Sequence, residues 1–419
     1  MLPLDLPWYR RLLGFAFAIG LGGGVLGLTY LAITNTGIDL LFGSAGTTAW
    51  SGEWWWIPLV AFGALAVVAI REWWNVEDHV PGAIEAISSA RADHKKVPGW
   101  VVLSAISVVT GASLGPSFAL VMMGGALGSW IAERRWAEGK TNRAYTLTGM
   151  AGGLGGAFTA PVFGAFMVSE IAPTPREGYV AAIIPQLIAS TVGFAFFYLV
   201  IGRTFLGSFR LPPYDFELGH MVVAAGLGVA AAGVLFAFVA IQSLVSWVSK
   251  RVPNRYVFAG VGGAAVGLIA VALPLTLGSG NSQLSSVITD SATLGVGLLL
   301  VVLVGKMVAL AISLSVGFIG GNVFPMMFLG GTAGTIVHLM FPGVPYALAV
   351  SVMLAAVPGG SLRSPMSLTL ISAITVGLGA TTVAPVAVAV VTSYVVVATV
   401  QYLLSNRKQG TGQPRQATS

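Results

Sequence analysis

The sequence predicts an all-α polytopic membrane protein made of two inverted-topology halves with re-entrant or broken helices. Three observations carry that expectation: a composition too apolar for water, apolar stretches repeatedly cut by Gly and Pro, and two motifs that recur in the same order in each half. Of 419 residues, 56% are hydrophobic and 9% are charged, where a soluble domain carries about 25% charged residues. Fifteen carboxylates cannot solvate a chain of this size in water, and a bilayer removes the need. Glycine reaches 55 residues; in lipid, small residues let helix backbones approach, so that packing supplies the cohesion. Trp54, Trp55, Trp56, Trp73 and Trp74 bracket one apolar span, as an interfacial belt would.

The same composition narrows the function. The net charge of +6 is spread along loops, which suits a positive-inside topology, and no basic tract is interleaved with aromatics, so no nucleic-acid partner is expected. There is no cysteine, which excludes disulfides and thiol chemistry. HExxH and a phosphate-cradling G-x-x-x-x-G-K-[S/T] are both missing, and His79, His94, His220 and His338 are isolated in sequence. No metal site, no cofactor and no enzymatic activity are expected. The paired methionines 122/123 and 326/327 read as packing or pore lining.

Along the chain, Arg10 and Arg11 precede an apolar run from about Phe15 to Thr34. It is long enough to span roughly 30 Å of hydrocarbon and has no clean cleavage site after it, so it reads as a first membrane helix with a cytoplasmic N-terminus. Apolar stretches follow at 56–70, 98–111, 116–132, 144–171 and 179–202, then at 220–248, 256–277, 294–316, 323–342, 345–357 and 366–404. The expected organisation is a first half over 1–202, a polar linker over 203–219, a second half over 220–404 and a disordered polar tail over 405–419, too short for a further folded domain.

Several stretches are too short or too broken to be simple spans, and interrupted segments at matching places point to an inverted repeat whose site lies where the broken helices meet. The internal match is direct. Gly115-Pro-Ser-Phe-Ala-Leu-Val-Met-Met-Gly124-Gly125-Ala-Leu-Gly128 aligns without a gap on Gly321-Asn-Val-Phe-Pro-Met-Met-Phe-Leu-Gly330-Gly331-Thr-Ala-Gly334. Gly156-Ala-Phe-Thr-Ala-Pro161 aligns on Gly360-Ser-Leu-Arg-Ser-Pro365, and the intervals from Gly124 to Pro161 and from Gly330 to Pro365 are 37 and 35 residues. The chain reads as a duplication.

These motifs resemble the CLC family of chloride channels and proton-coupled chloride transporters. The resemblance covers about residues 10–404 and rests on Gly320-Gly-Asn-Val-Phe-Pro325, on Ala160-Pro161 followed by Glu170, on Arg363-Ser-Pro365, and on Thr110-Gly-Ala-Ser-Leu-Gly-Pro116. It implies two inverted halves whose short helices aim their N-termini at buried anions, a homodimer, and a bacterial plasma-membrane location. Chloride or a similar small inorganic anion would be the substrate, and the lipid bilayer the surrounding partner. The physics is sound on its own: a helix N-terminus holds an anion through free N–H groups and its dipole, weakly enough to release it.

By that resemblance the anion-binding residues are Ser117, Phe118, Val323 and Phe324, mainly through backbone N–H groups, with Asp78 and His79 at the inner mouth. The sequence departs from the family at several of these positions. Aligning the Gly124-Gly125 pair places Ser117 where most family transporters carry a gating glutamate, and a hydroxyl does not titrate as a carboxyl near 4.3 does. Glu170 falls at the family's internal proton-pathway glutamate; read from the residues alone, it is either that or a structural carboxylate paired with Arg176 or a neighbour. Asp78 stands in a loop that relatives fill with serine; it would repel an anion, or it caps a helix and faces water. His79 reads as an anion contact or a solvated side chain. Val323 replaces a family phenylalanine. Lys306 resembles a family arginine, and either raises the local positive potential or snorkels to the interface. Tyr394 and Tyr402 both lie inside an apolar run, so no inner-gate tyrosine is assigned. Passive anion transport without proton coupling is the expected function. The alternatives are a coupled transporter using Glu170 or Asp78, and a non-conducting structural or regulatory family member.

Overall fold

The computed structural model describes residues 2–43, 52–77, 79–135, 139–158, 160–173, 178–202, 209 and 211–410. Asp78, Arg176 and the last nine residues lie outside the described residues. The first half contains α1 (Pro7–Phe42), α2 (Trp56–Trp73), α3 (Ala83–Ser89), α4 (Val97–Val109), α5 (Ser117–Arg135), α6 (Gly139–Phe158), α7 (Phe163–Ile171) and α8 (Tyr179–Ile201). The second contains α9 (Gly219–Ser249), α10 (Arg255–Ala272), α11 (Asn281–Thr289), α12 (Ser291–Ser315), α13 (Val323–Met340), α14 (Tyr346–Gly359), α15 (Pro365–Val376) and α16 (Ala384–Gly410). Among the described residues eight helices are long and apolar enough to cross a membrane: α1, α2, α8, α9, α10, α12, α13 and α16.

Backbone geometry follows the duplication. Ser107 and Ser313 lie 206 positions apart, as do Gly111 and Gly317, Ser113 and Ile319, and Gly115 and Gly321. Gly111 and Gly317 both take the left-handed region, at φ 91° and 97°, a conformation open to glycine at little cost. The Ser113 N–H donates to Ser313 Oγ at 3.0 Å, and the Ile319 N–H donates to Ser107 Oγ at 3.0 Å. Each half therefore satisfies a backbone donor in the other half with the same serine. Gly115 and Gly321 exchange both backbone bonds, N–H to carbonyl, at 2.7 and 2.8 Å. Further out, a Cβ on Gly124 would stand 2.1 Å from the Gly149 carbonyl oxygen of α6, and one on Gly330 would stand 2.3 Å from the Met353 carbonyl oxygen of α14. The equivalent helix pairs touch backbone to backbone, which is why a larger residue is excluded at both places.

The structure breaks apolar stretches where the sequence leaves them continuous. The 144–171 stretch turns at Ala160–Val162 into α6 and α7, and 366–404 turns at Gly377, φ 75°, into α15 and α16. The polar helix α11 is not foreseen by apolar runs. The tail expected to be disordered from 405 instead continues α16 to Gly410, because extending an existing helix adds a hydrogen bond for each residue fixed and needs no new nucleus. Trp54 and Trp73 are exposed, as the belt requires, but Trp56 is wholly buried against Phe42 and is a core residue.

Candidate functional site

The pairing of Gly115 with Gly321 sets the start of α5 beside the start of α13. Ser117 and Phe118 are the first two residues of α5, and Val323 and Phe324 the first two of α13. The first N–H groups of a helix have no partner inside it and carry the positive end of its dipole. In α13, Pro325 has no N–H and the Met326 N–H already bonds the Asn322 carbonyl, leaving Val323 and Phe324 as the terminal donors. Neither first turn contains an acid, and no side chain caps α13.

All four residues are buried: Ser117, Phe118 and Val323 are 1% exposed and Phe324 is 2%. Ser117 Oγ is buried without a hydrogen-bond partner, a state that costs about 1–3 kcal/mol unless a partner arrives. A Cβ on Gly321 would fall 1.8 Å from that oxygen and 2.9 Å from the Phe118 nitrogen. The hydroxyl and a terminal N–H of α5 thus converge on the bare Cα of the opposite half.

Aromatic rings close over this junction. Phe158, the last residue of α6, stacks on Phe324 with centroids 4.6 Å apart and planes 9° from parallel. Phe163, the first residue of α7, lies 4.5 Å from Phe158. Such pairs add about 0.5–1.5 kcal/mol beyond their burial. A cavity of about 10 Å³ beside Phe324, bounded also by Phe209, Asn281, Phe328 and Leu354, holds roughly one water molecule. Neither Phe158 nor Phe163 was singled out by the sequence. Phe158 sits inside the second repeated motif, between Gly156 and Pro161.

The remaining expected residues fall elsewhere. Glu170, near the end of α7, accepts from the Met366 N–H at 2.8 Å, the Ser367 N–H at 3.0 Å and the Ser367 hydroxyl. Since Pro365 has no N–H and the Leu368 N–H bonds the Ser364 carbonyl, Glu170 takes up the terminal donors of α15. The carboxylate of one half caps the broken helix of the other. His79 is a correction to the inner-mouth reading: its side chain is 77% exposed and its Nε2 lies 2.9 Å from the Glu85 carboxylate on α3, so water and a carboxylate already satisfy it. The anion-contact expectation for Asp78 falls outside the described residues. Lys306 does not snorkel. It is 0% exposed, and its ammonium donates to the carbonyls of Thr276, at 2.9 Å, and Gly278. It also sits 5.2 Å from the centroid of the Phe328 ring, one turn after Phe324 on α13. Tyr394 and Tyr402 both reach the outer surface of the helix bundle.

Comparison with known proteins adds to this geometry. The family model described as voltage gated chloride channel matches residues 62–398. "Putative ion-transport protein YfeO" of Salmonella newport (strain SL254) is 26% identical over 358 residues, covering 84% of each chain. The protein of the same name from Escherichia coli (strain SMS-3-5 / SECEC) is 26% identical over 360 residues, covering 84% of this chain and 82% of its own. Among solved structures, a slow cyanobacterial Cl⁻/H⁺ antiporter superposes with a TM-score of 0.79 at 19% identity, over 96% of this chain and 98% of that one. A CLC-type fluoride/proton antiporter superposes at 0.76 with 18% identity, over 92% and 95%. At those identities the two structures establish the fold.

Proposed function

Because the chain belongs to the voltage gated chloride channel family, the CLC family, and is an anion-transport protein of the membrane, we propose that it passes chloride or a similar small anion passively, without moving protons. The observation that carries this reading is Ser117. It opens α5 in the register supported by the Gly115–Gly321 pairing, and its buried hydroxyl lacks a partner. A hydroxyl there donates to an anion but exchanges no proton near neutral pH. Val323 and Phe324 supply donors from the opposite half, and Lys306 adds positive potential beside the first turns of α13. Asp78 at the inner mouth enters this proposal through the family resemblance alone.

The coupled alternative rests on Glu170 or Asp78, and the superposed structures are themselves of antiporters. The three donors converging on Glu170 favour a cap, since they are the first-turn groups of α15 that have no partner inside the helix. The chain is taken to act as a homodimer in a bacterial plasma membrane, as its family resemblance implies.

Contacts between helix ends support a cytoplasmic N-terminus. The Arg135 guanidinium at the end of α5 lies over Phe15 of α1, at 5.8 Å. Arg143 donates to the carbonyls of Ser89 and Pro173, Lys96 pairs with Glu77, and Arg255 pairs with Glu72. The Glu77 carboxylate holds the exposed Lys96 ammonium above the usual lysine range. Arg71, which donates to the Glu77 carbonyl, joins the Lys96 and Arg255 pairs, and Arg10 and Arg11 precede Phe15 on α1. At the other end, Phe42, Trp56 and Leu277 pack together. The positive-inside rule assigns the basic end to the cytoplasm.

The test is chloride release from liposomes containing the purified protein, with valinomycin and potassium to balance charge, repeated with nitrate and fluoride. Release well above that of empty liposomes is the expected result. No release of any of the three would return the chain to the structural or regulatory reading.

A further inference from the structure

The site combines two helix N-termini suited to holding an anion with no carboxylate to close them. What stands at the junction instead is aromatic. Phe118, Phe158, Phe163 and Phe324 are all buried, and they come from four helix ends at three breaks: the starts of α5 and α13, and the end of α6 with the start of α7. Phe158 belongs to the first half and Phe324 to the second, so their stack, 4.6 Å between centroids, spans the pseudo-symmetric boundary. The Phe324 side chain also rests on the opposite loop, where a Cβ added at Gly115 would meet it at 3.1 Å. The ring of Phe324 therefore covers the pairing that brings Ser117 and Val323 together, and Phe158 covers the ring.

We propose that the Phe158–Phe324 stack is the gate of the anion pathway, a dry aromatic closure that opens when the two rings part. This rests on the passive-transport reading. An apolar constriction stops ions because an ion cannot shed its water to enter a space that offers no polar partner, and hydrophobic constrictions gate by this dewetting. The closure differs from a carboxylate gate in a measurable way: neither ring titrates, so opening is insensitive to pH. It also places the barrier on side chains while the backbone N–H of Phe324 binds the ion. Truncating the ring removes the barrier and leaves the donor.

The cavity beside Phe324, lined also by Phe209, Asn281, Phe328 and Leu354, is about 10 Å³. Opening requires the loss of one aromatic contact, so removing it shifts the closed-to-open balance by the size of that contact. Stacked pairs of this kind correspond to a change of about two- to twelve-fold.

The experiment compares chloride release from liposomes containing the wild type, Phe324→Ala, Phe324→Leu and Phe158→Ala, each first shown to be monodisperse in detergent. Phe324→Leu keeps much of the apolar packing if the alanine variant fails to fold. Phe197→Ala, at a buried ring on α8, controls for general loosening of the bundle. The expected result is release raised within that two- to twelve-fold range by the Phe324 and Phe158 variants, equally at pH 5 and pH 8, with Phe197→Ala at the wild-type rate. Conducting wild type with unchanged or reduced release in the folded Phe324 and Phe158 variants overturns the gate and leaves passive transport standing. An equal rise in Phe197→Ala also overturns the gate. Silence in wild type and all variants overturns both the gate and the transport reading beneath it.

Discussion

At the scale of single residues, Ser117 and Glu170 divide between them what one would expect of two carboxylates. Ser117 leaves the α5 N-terminus uncharged and open. Ser117→Glu restores a titratable group there, and its ionised form would occupy the free N–H groups in competition with the anion. Its charged form prevails above a carboxyl pKa near 4.3 in water, and burial raises that value. Chloride release by this variant is therefore expected to fall as pH rises from 4 to 8, while the wild type stays flat; a flat variant would remove Ser117 from the pathway. Glu170 does the opposite work, holding the start of α15 through Met366 and Ser367. Glu170→Ala leaves the N–H of the buried Ser367 without its partner and is expected to lower stability by about 1 kcal/mol, read as a lower melting temperature in detergent. Glu170→Gln is expected to lose less stability, because the amide oxygen still accepts. Neither change is expected to alter the pH dependence of release. A changed pH profile in Glu170→Gln would favour the coupled reading.

At the scale of elements, the helix starts depend on backbone approach. A Cβ on Gly321 would collide with Ser117 Oγ at 1.8 Å, so Gly321→Ala is expected to abolish release or expression. Adding Ser117→Gly in the same chain removes the colliding hydroxyl and is expected to rescue folding in part, measured as recovered monodisperse protein. No recovery would mean that the strain comes from elsewhere in the loop. These elements were legible in sequence to different degrees. Apolar runs and glycine spacing located α5 and α13 because glycine-to-backbone contacts such as Gly124–Gly149 leave a fixed mark on the sequence. The turn at Ala160–Val162 is marked in sequence by Ala160-Pro161, whereas hydropathy alone runs through it because the residues on both sides are apolar. The Phe158–Phe324 stack was not legible at all, because the two rings lie in different halves and only folding sets them face to face. Glu170 was located, but its partners, Met366 and Ser367, are about 200 positions away, and no local pattern announces a cap supplied from the other repeat.

For the whole molecule, the duplication and the basic end fix two different things. The reciprocal bonds at Ser107, Ser313, Gly115 and Gly321 tie the halves into one bundle, and the distribution of Arg and Lys carries the proposed orientation. The native chain has no cysteine, so single cysteines report topology without background. A membrane-impermeant thiol reagent is expected to label Asp215→Cys in intact cells, and to label Lys95→Cys only after permeabilisation. The reverse pattern would place the N-terminus outside.

The most direct measurement of the central proposal records chloride and proton movement together in the same liposomes. An outward chloride gradient is imposed with charge balanced by valinomycin, and external pH and chloride are followed at once. Chloride release with no proton movement above the leak of empty liposomes is the expected result. Proton movement in fixed proportion to chloride, driven against a proton gradient, would contradict passive transport and make the chain a coupled antiporter.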